Sequence, residues 1–207
     1  MDQLITMKSS SRLKTGLRIL LTDGPLHFFA RVCQFLRYVL YDQRRFEYFA
    51  LSLTQPFPTM PTQPGIFVRI ATPDDRGRIE TELFPAVGKD IENDKRYSVF
   101  IGSHGVYCFI AEKDRVLVHY SWVFTDLTHA PITATPFKKN RLCPGDVFVG
   151  PVFTHPAARG LWIFPFVLGE ILHFLRTQPS ARRVLVFTDG RNSAAGRFYM
   201  RLGFQAL

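Results

Sequence analysis

Residues 96–124, RYSVFIGSHGVYCFIAEKDRVLVHYSWVF, alternate apolar and polar positions at a period of two, with turn residues at Gly102–Gly105 and Lys113–Arg115. The pattern predicts an antiparallel meander. Two strand–turn–helix units follow. GDVFVGPVFT (145–154) leads into LWIFPFVLGEILHFLRTQ (161–178), and RRVLVFT (182–188) leads into NSAAGRFYMRLGF (192–204). A chain that first pairs strands antiparallel and then alternates strand with helix buries its apolar residues in a mixed, mostly antiparallel sheet with helices on both faces. The expected class is α/β of the α+β kind.

IFVRIA (66–71) reads as an earlier strand of the same sheet. In the following TPDDRGRIETEL, Thr72 is a natural N-cap, Pro73 suits the first helical position, and Asp75 completes a capping-box-like pattern. This helix is expected to run to about Leu83 and break near Pro85, with a short second helix over 86–95. TQPFPTMPTQPG (54–65) contains four prolines and a glycine and predicts a stiff linker.

Residues 1–53 predict a basic amphipathic helical extension. Residues 1–50 carry eight Lys/Arg against four Asp/Glu. After Pro25, Leu26, Phe29, Val32, Leu36, Val39 and Leu40 recur at helical spacing. Two readings of the extension stay open. One is a helix packed on the main domain or on a second subunit, as in a homodimer. The other is a helix lying in a membrane surface through residues 12–48, its arginines toward anionic lipid. The expected organisation is extension 1–53, linker 54–65 and main domain 66–207.

The 46% hydrophobic content argues for a folded chain, and the net charge of +9 for an anionic partner: nucleic acid, an acidic membrane face or a phosphorylated cofactor. The basic residues are not ranged along one recognition helix, which argues against nucleic acid. No run of about 18 uncharged apolar residues occurs, so no spanning helix is expected. Without a signal peptide the expected location is the cytoplasm, with a peripheral place on the inner membrane face open to the extension. Cys33, Cys108 and Cys143 stand far apart without zinc-type spacing, so no metal site is expected. They read as small apolar thiols of a reducing compartment, with a disulfide between two of them as the alternative.

The turn THPAARGLW (154–162) hands a strand over to a helix. Backbone N–H groups at a helix start lack partners, and the helix dipole adds positive charge, so the turn suits a phosphate. Gly160 lets the main chain approach closely. In the last helix Asn192 is placed to cap, Ala194 and Ala195 keep the first turn thin, and Gly203 suits a left-handed stop covered by Phe204.

Together, ARGLWIFPFVLGEIL resembles the acyl-CoA pyrophosphate turn and following helix of the GNAT superfamily, the Gcn5-related N-acetyltransferases. NSAAGRFYMRLGF is similar to its later signature, Asn-x-x-Ala-x-x-aromatic/Leu-Tyr and then Gly-Phe, with Asn192, Ala195, Phe198, Tyr199, Gly203 and Phe204 in register. VRIATPDD resembles the family's first strand and helix entry, so the resemblance covers roughly 66–207. The turn departs from the family's Gln/Arg-x-x-Gly-x-Gly/Ala: Ala157 stands first, Trp162 last, and only Arg159 and Gly160 are kept. Positive φ costs a non-glycine residue roughly 1–2 kcal/mol, so Trp162 is expected to have ordinary helical dihedrals and an indole turned away from the phosphates. RGLWIFP also resembles a variant turn in GNAT-like proteins associated with bacterial glycan synthesis. Family members usually continue through another strand pair after the Gly-Phe stop. Here the C-terminal strands are expected to be short, truncated or completed by a neighbour.

The resemblance implies acetyl-CoA, or another acyl-CoA, as co-substrate, attacked directly by a primary amine of a small molecule or amino sugar. It places the CoA phosphates on Ala158, Arg159, Gly160, Leu161, Trp162 and Ile163, helped by Arg191 or Arg197. The pantetheine arm would run along Val152, Phe153 and Thr154, where Gly150-Pro151 splays two strands, with further contacts at Asn192, Ala195 and Tyr199. By motif position Tyr199 is the general acid for the departing thiolate. Asp146, thirteen residues before Arg159, is the candidate general base, at an offset where some histone-acetylating relatives carry glutamate. His119, Tyr120 and His155 are alternatives. The acceptor is expected between residues 84–97 and the meander. The alternative function is a GNAT-shaped protein without turnover, acting as a membrane-associated partner in a glycan-assembly complex.

Overall fold

The computed structural model describes residues 46–60, 62–88, 91–134 and 141–207, all within a unit running from Phe46 to Leu207. Its seven strands are β1 (Phe46–Ser52), β2 (Ile66–Ile70), β3 (Val106–Lys113), β4 (Val116–Phe124), β5 (Asp146–Thr154), β6 (Arg183–Asp189) and β7 (Gln205–Ala206). They form one sheet in the order β2-β3-β4-β5-β6-β1-β7, antiparallel except for the β5–β6 pair. The β3–β4 hairpin turns through Asp114 and Arg115, whose φ values of 52° and 65° match a primed two-residue turn. The mixed, mostly antiparallel sheet is the one that the alternation pattern predicts.

β1 corrects the expected boundary of the N-terminal extension. Phe46–Ser52 is a strand inside the sheet, paired with β6 from Phe46↔Asp189 to Ser52↔Arg183. A strand buried on both faces reads as a short apolar run, which periodicity alone does not separate from a helix segment. The place beside β6 is filled by β1 of this chain, and β7 adds to its far edge through Phe49↔Ala206 and Ala50↔Gln205. Residues 1–45, and with them the expected surface helix and homodimer contacts, lie outside the described residues.

Between β2 and the next helix the chain is helical from Pro73 to Val87, through 3-10 (Pro73–Asp75), α (Arg76–Arg78), π (Ile79–Leu83) and α (Phe84–Val87) geometry. The Asp75 carboxylate accepts from Thr72 N at 2.8 Å and pairs with Arg69 of β2 at 2.6 Å, fixing how the run leaves the sheet. The expected break at Pro85 does not occur. Pro85 enters directly after the π segment, in the first turn of the last α segment, and the run continues past it to Val87. Gly88, at φ 81°, follows as the C-cap of that run. Helix α1 (Ile91–Ser98) then takes in Arg96–Ser98, so the meander begins at β3 rather than at Arg96.

Helices α2 (Ile163–Arg176) and α3 (Ser193–Arg201) cover the other face. α2 turns Ile163, Val167, Leu168, Ile171, Leu172 and Leu175 into the core, each worth about 1.5–3 kcal/mol when fully buried. The proline-rich segment is strapped along this helix. Arg176 donates to the carbonyls of Leu53 and Gln55 and lies over Phe57, and Met60 packs so closely that a methyl at Gly169 would stand 2.8 Å from its Cγ. α3 lies close over β1: a methyl at Gly196 would stand 3.3 Å from Phe49 and Glu47. A second core on the opposite face, built on Ile79, Leu83, Phe84, Tyr97, Tyr120, Trp122 and Phe148, lies under the Pro73–Val87 run and α1. Cys108 is buried and Cys143 is exposed.

Candidate active site

β5 and β6 pair in parallel at Asp146↔Arg183, Val147↔Val184 and Phe148↔Leu185, and there the pairing stops. Beyond it each strand keeps only its outer neighbour. β5 stays on β4 through Ser121↔Val152, Tyr120↔Phe153 and His119↔Thr154, and β6 stays on β1. The parting begins at Gly150, with φ 141°, and at Pro151, which has no N–H to donate. Thus the expected splay at Gly150-Pro151 is present.

The register shows which backbone groups face the gap. His155 N–H donates to the Val118 carbonyl at 2.8 Å. Along an antiparallel ladder, residues bond alternately to one side and the other. Phe153 and His155 therefore point to β4, and the N–H and C=O groups of Val152 and Thr154 point into the gap. Arg159 Nε reaches the Thr154 carbonyl from that side at 3.3 Å.

The turn to α2 closes one end of the gap. The N–H groups of Gly160, Leu161, Trp162 and Ile163 find no acceptor among the described residues, as expected where a helix begins. A Cβ built on Gly160 meets nothing within 4 Å, so an anion can approach its backbone. Trp162 departs from expectation. It stands at φ 55°, ψ 26°, in the left-handed region, as the N-cap of α2. An N-cap residue lies outside the helix and does not share its dihedrals. Its indole is 60% exposed and forms part of the cleft wall without filling it. The cleft encloses about 540 Å³ between Thr154, the turn, Phe164, Pro165, Ala194 and Phe198. That volume falls within the range of small-molecule sites.

Expected site residues divide into those at the cleft and those away from it. Thr154, Ala158, Arg159, Gly160, Trp162 and Ile163 line it. Leu161 is exposed in the same turn, and Val152 and Phe153 precede Thr154 on β5. Asn192 caps α3, accepting from Ala195 N at 3.1 Å. Arg191 is engaged with Asp189 at 2.7 Å. Phe164, Pro165, Ala194 and Phe198 were not expected as lining residues. Ala194 and Phe198 share one face of α3 at helical spacing, the signal that could have found them.

Tyr199 stands behind Phe198. It is 7% exposed, with ring centroids of Phe49, Phe164, Phe198 and Phe204 all within 6.2 Å. Burial raises its pKa above that of an ordinary phenol. The hydroxyl is not among the buried polar atoms that lack a partner.

Asp146 is not at the cleft. It opens β5, at the end of the strand opposite Thr154, and its two oxygens accept from Arg183 Nε at 2.8 Å and Nη2 at 2.7 Å and from Cys143 N at 2.8 Å. A buried carboxylate so engaged is not available as a base in the gap. His119 is fully buried, with Phe164 stacked on it, and Tyr120 is fully buried on the opposite face beside Phe84 and Phe153. His155, half-buried, accepts from Ala157 N at 3.3 Å.

No family model matches the sequence, and no curated protein matches it either. Solved structures do match. A tandem GNAT protein from the clavulanic acid biosynthesis pathway superposes with a TM-score of 0.53 at 20% identity over 77% of this chain. A GCN5-related N-acetyltransferase from Sphaerobacter thermophilus does so with 0.53 at 19% over 78%. The aminoglycoside N-acetyltransferase AAC(6')-Iy in complex with CoA gives 0.53 at 14% over 71%, this chain covering 92% of it. The chain spans about half the length of the first two, 49% and 48%. The likeness establishes the GNAT fold.

Proposed function

We propose that this chain, whose fold is that of the GNAT acetyltransferases, is an acyl-CoA-dependent N-acyltransferase that acts on a primary amine of a small molecule or amino sugar. One observation carries the reading: β5 and β6 separate beside a helix-entry turn with free N–H groups, and a cleft lies there between Thr154 at the end of β5, the turn, α2 and α3. An extended amide-bearing chain ending in phosphates fits such a place. The N–H and C=O of Val152 would hold its amides, and the amides of Gly160 to Ile163 its phosphates, with Arg159 adding charge.

Acyl-CoA would supply the acyl group already activated as a thioester. The chain's own part is to bind, orient and manage protons. Tyr199 is proposed to donate the proton that the departing sulfur takes up, and its raised pKa keeps the phenol protonated across the physiological range. Among the described residues the cleft lining contains no carboxylate, and Asp146 is held by Arg183 at the other end of β5. The acceptor is therefore proposed to be an amine that is substantially neutral without help. At a pKa near 7.7 roughly a sixth is neutral at pH 7, against roughly one in a few thousand at 10.4.

Calorimetric titration with acetyl-CoA, followed by a thiol-release assay on amines of graded basicity, tests the proposal. Saturable binding that falls about tenfold or more in Arg159→Glu, the loss expected of a charge-assisted contact, together with preference for weakly basic amines, supports it. No binding supports the alternative of a GNAT-shaped assembly partner. The proposed membrane contact through residues 12–48 is tested separately by flotation on anionic liposomes with and without residues 1–45. No helix among the described residues is long and apolar enough to cross a membrane.

A further inference from the structure

His119 has no part in the chemistry described so far, yet both its ring nitrogens are engaged in a site without water access. Nδ1 lies 2.8 Å from Thr154 Oγ1 and Nε2 lies 2.7 Å from Ser121 Oγ, and His119 and Ser121 are each 0% exposed. The three side chains share one sheet face. His119 and Ser121 are two apart on β4, and His119 sits directly opposite Thr154 across a pair without backbone hydrogen bonds, where side chains come closest. Phe164 stacks on the imidazole at 6.0 Å and belongs to the cleft wall. The chain Ser121–His119–Thr154 therefore reaches the cleft through Thr154.

Proton counting gives this chain a direction. A neutral imidazole has one N–H and one bare nitrogen. If Nε2 held the proton it would donate to Ser121, and the Ser121 proton would then need another acceptor. Among the described residues Ser121 Oγ has no hydrogen-bond partner besides His119. A fully buried hydroxyl proton would be stranded, a costly arrangement. If Nδ1 holds the proton, Ser121 donates to Nε2, Nδ1–H donates to Thr154 Oγ1, and every buried proton is used. The Thr154 hydroxyl proton is then left over. Among the described residues His119 is that hydroxyl's only partner, and Thr154 lines the cleft.

We infer that the Thr154 hydroxyl is a hydrogen-bond donor presented to the cleft for a carbonyl oxygen of the acyl-CoA arm, and that His119, as its Nδ1–H tautomer, and Ser121 are positioning residues that fix this polarity. The inference rests on the reading of the cleft as an acyl-CoA site. It adds a directed side-chain donor to backbone groups that bind without regard to side-chain identity. It also explains a fully buried histidine beneath the cleft whose partners are two hydroxyls. A phenylalanine there would pack as well but would leave the Thr154 hydroxyl free to turn.

Two measurements on the full chain decide it. Nitrogen-15 correlation spectroscopy reads the His119 tautomer in the unaltered protein: Nδ1–H is expected, and Nε2–H overturns the inference. Calorimetric titration with acetyl-CoA compares the unaltered protein with Thr154→Val and Thr154→Ser. Thr154→Val is expected to weaken binding about tenfold, the net worth of one hydrogen bond at the upper end of its range, and Thr154→Ser to restore it. Equal affinity of the unaltered protein and Thr154→Val overturns the inference while leaving the acyl-CoA reading intact. No binding by the unaltered protein overturns that reading and the ligand assigned to Thr154 together, whatever the tautomer.

Discussion

Asp146 and Arg183 face each other across the first parallel pair of β5 and β6, joined by two hydrogen bonds of 2.8 and 2.7 Å. The clamp stands where the strands are closed, and the cleft stands where they are open. One pins the register of two strands that the other requires to separate. Removing one partner of a buried, doubly bonded pair costs about 3 kcal/mol. Asp146→Ala is expected to lower unfolding free energy in urea by that order, with turnover of the folded protein kept. Loss of kcat at unchanged stability would instead make Asp146 a base.

His119 makes stability depend on pH in a window free of carboxylates. Burial pushes its pKa down to about 3, so below about 6.5, where an unfolded histidine takes up a proton, the folded one does not. Stability is full above 6.5 and falls with decreasing pH, by up to about 1.4 kcal/mol per unit. Unfolding measured between pH 6.5 and 5 should show this slope in the unaltered protein and a much shallower one in His119→Asn.

The two tryptophans report different places. Trp122 is fully buried and Trp162 is at the cleft. Acetyl-CoA is expected to change the exposed component of tryptophan emission and leave the buried one alone. In Trp162→Phe the ligand-dependent change should vanish, with affinity measured calorimetrically still present. A change that persists would place the ligand elsewhere.

Gly169 is where the proline-rich strap crosses α2. A methyl there meets Met60 Cγ at 2.8 Å and Cβ at 2.9 Å. Gly169→Ala should cost about 1–3 kcal/mol by overpacking, read in a thermal melt. Met60→Ala in the same chain should return much of it.

The parts of the fold with a clear period or a cap were legible in the sequence. Thr72 and Asp75, Asn192, Gly203 and the Gly150-Pro151 interruption each act locally, and each stands where its local chemistry puts it. β1 was not legible. FEYFALS is apolar on both faces, and its partner lies far along the chain at 183–189. Distance along the chain from Arg159 points to Asp146, and spacing does not report that Arg183 lies opposite. The cost of a left-handed tryptophan predicts helical dihedrals at Trp162, but the turn places it at the N-cap. The Ser121–His119–Thr154 chain needed the β4–β5 register, since no motif joins residues 35 apart.

The central claim is that the gap between β5 and β6 takes the acyl-CoA arm on backbone groups of alternating direction. Titration of the labelled protein with acetyl-CoA, followed through backbone amide shifts, tests this residue by residue. The amides of Val152, Thr154 and Gly160 to Ile163 should move strongly, and those of Phe153 and His155, which point to β4, should move little. Uniform small shifts along 152–155, or shifts concentrated away from the gap, would contradict it.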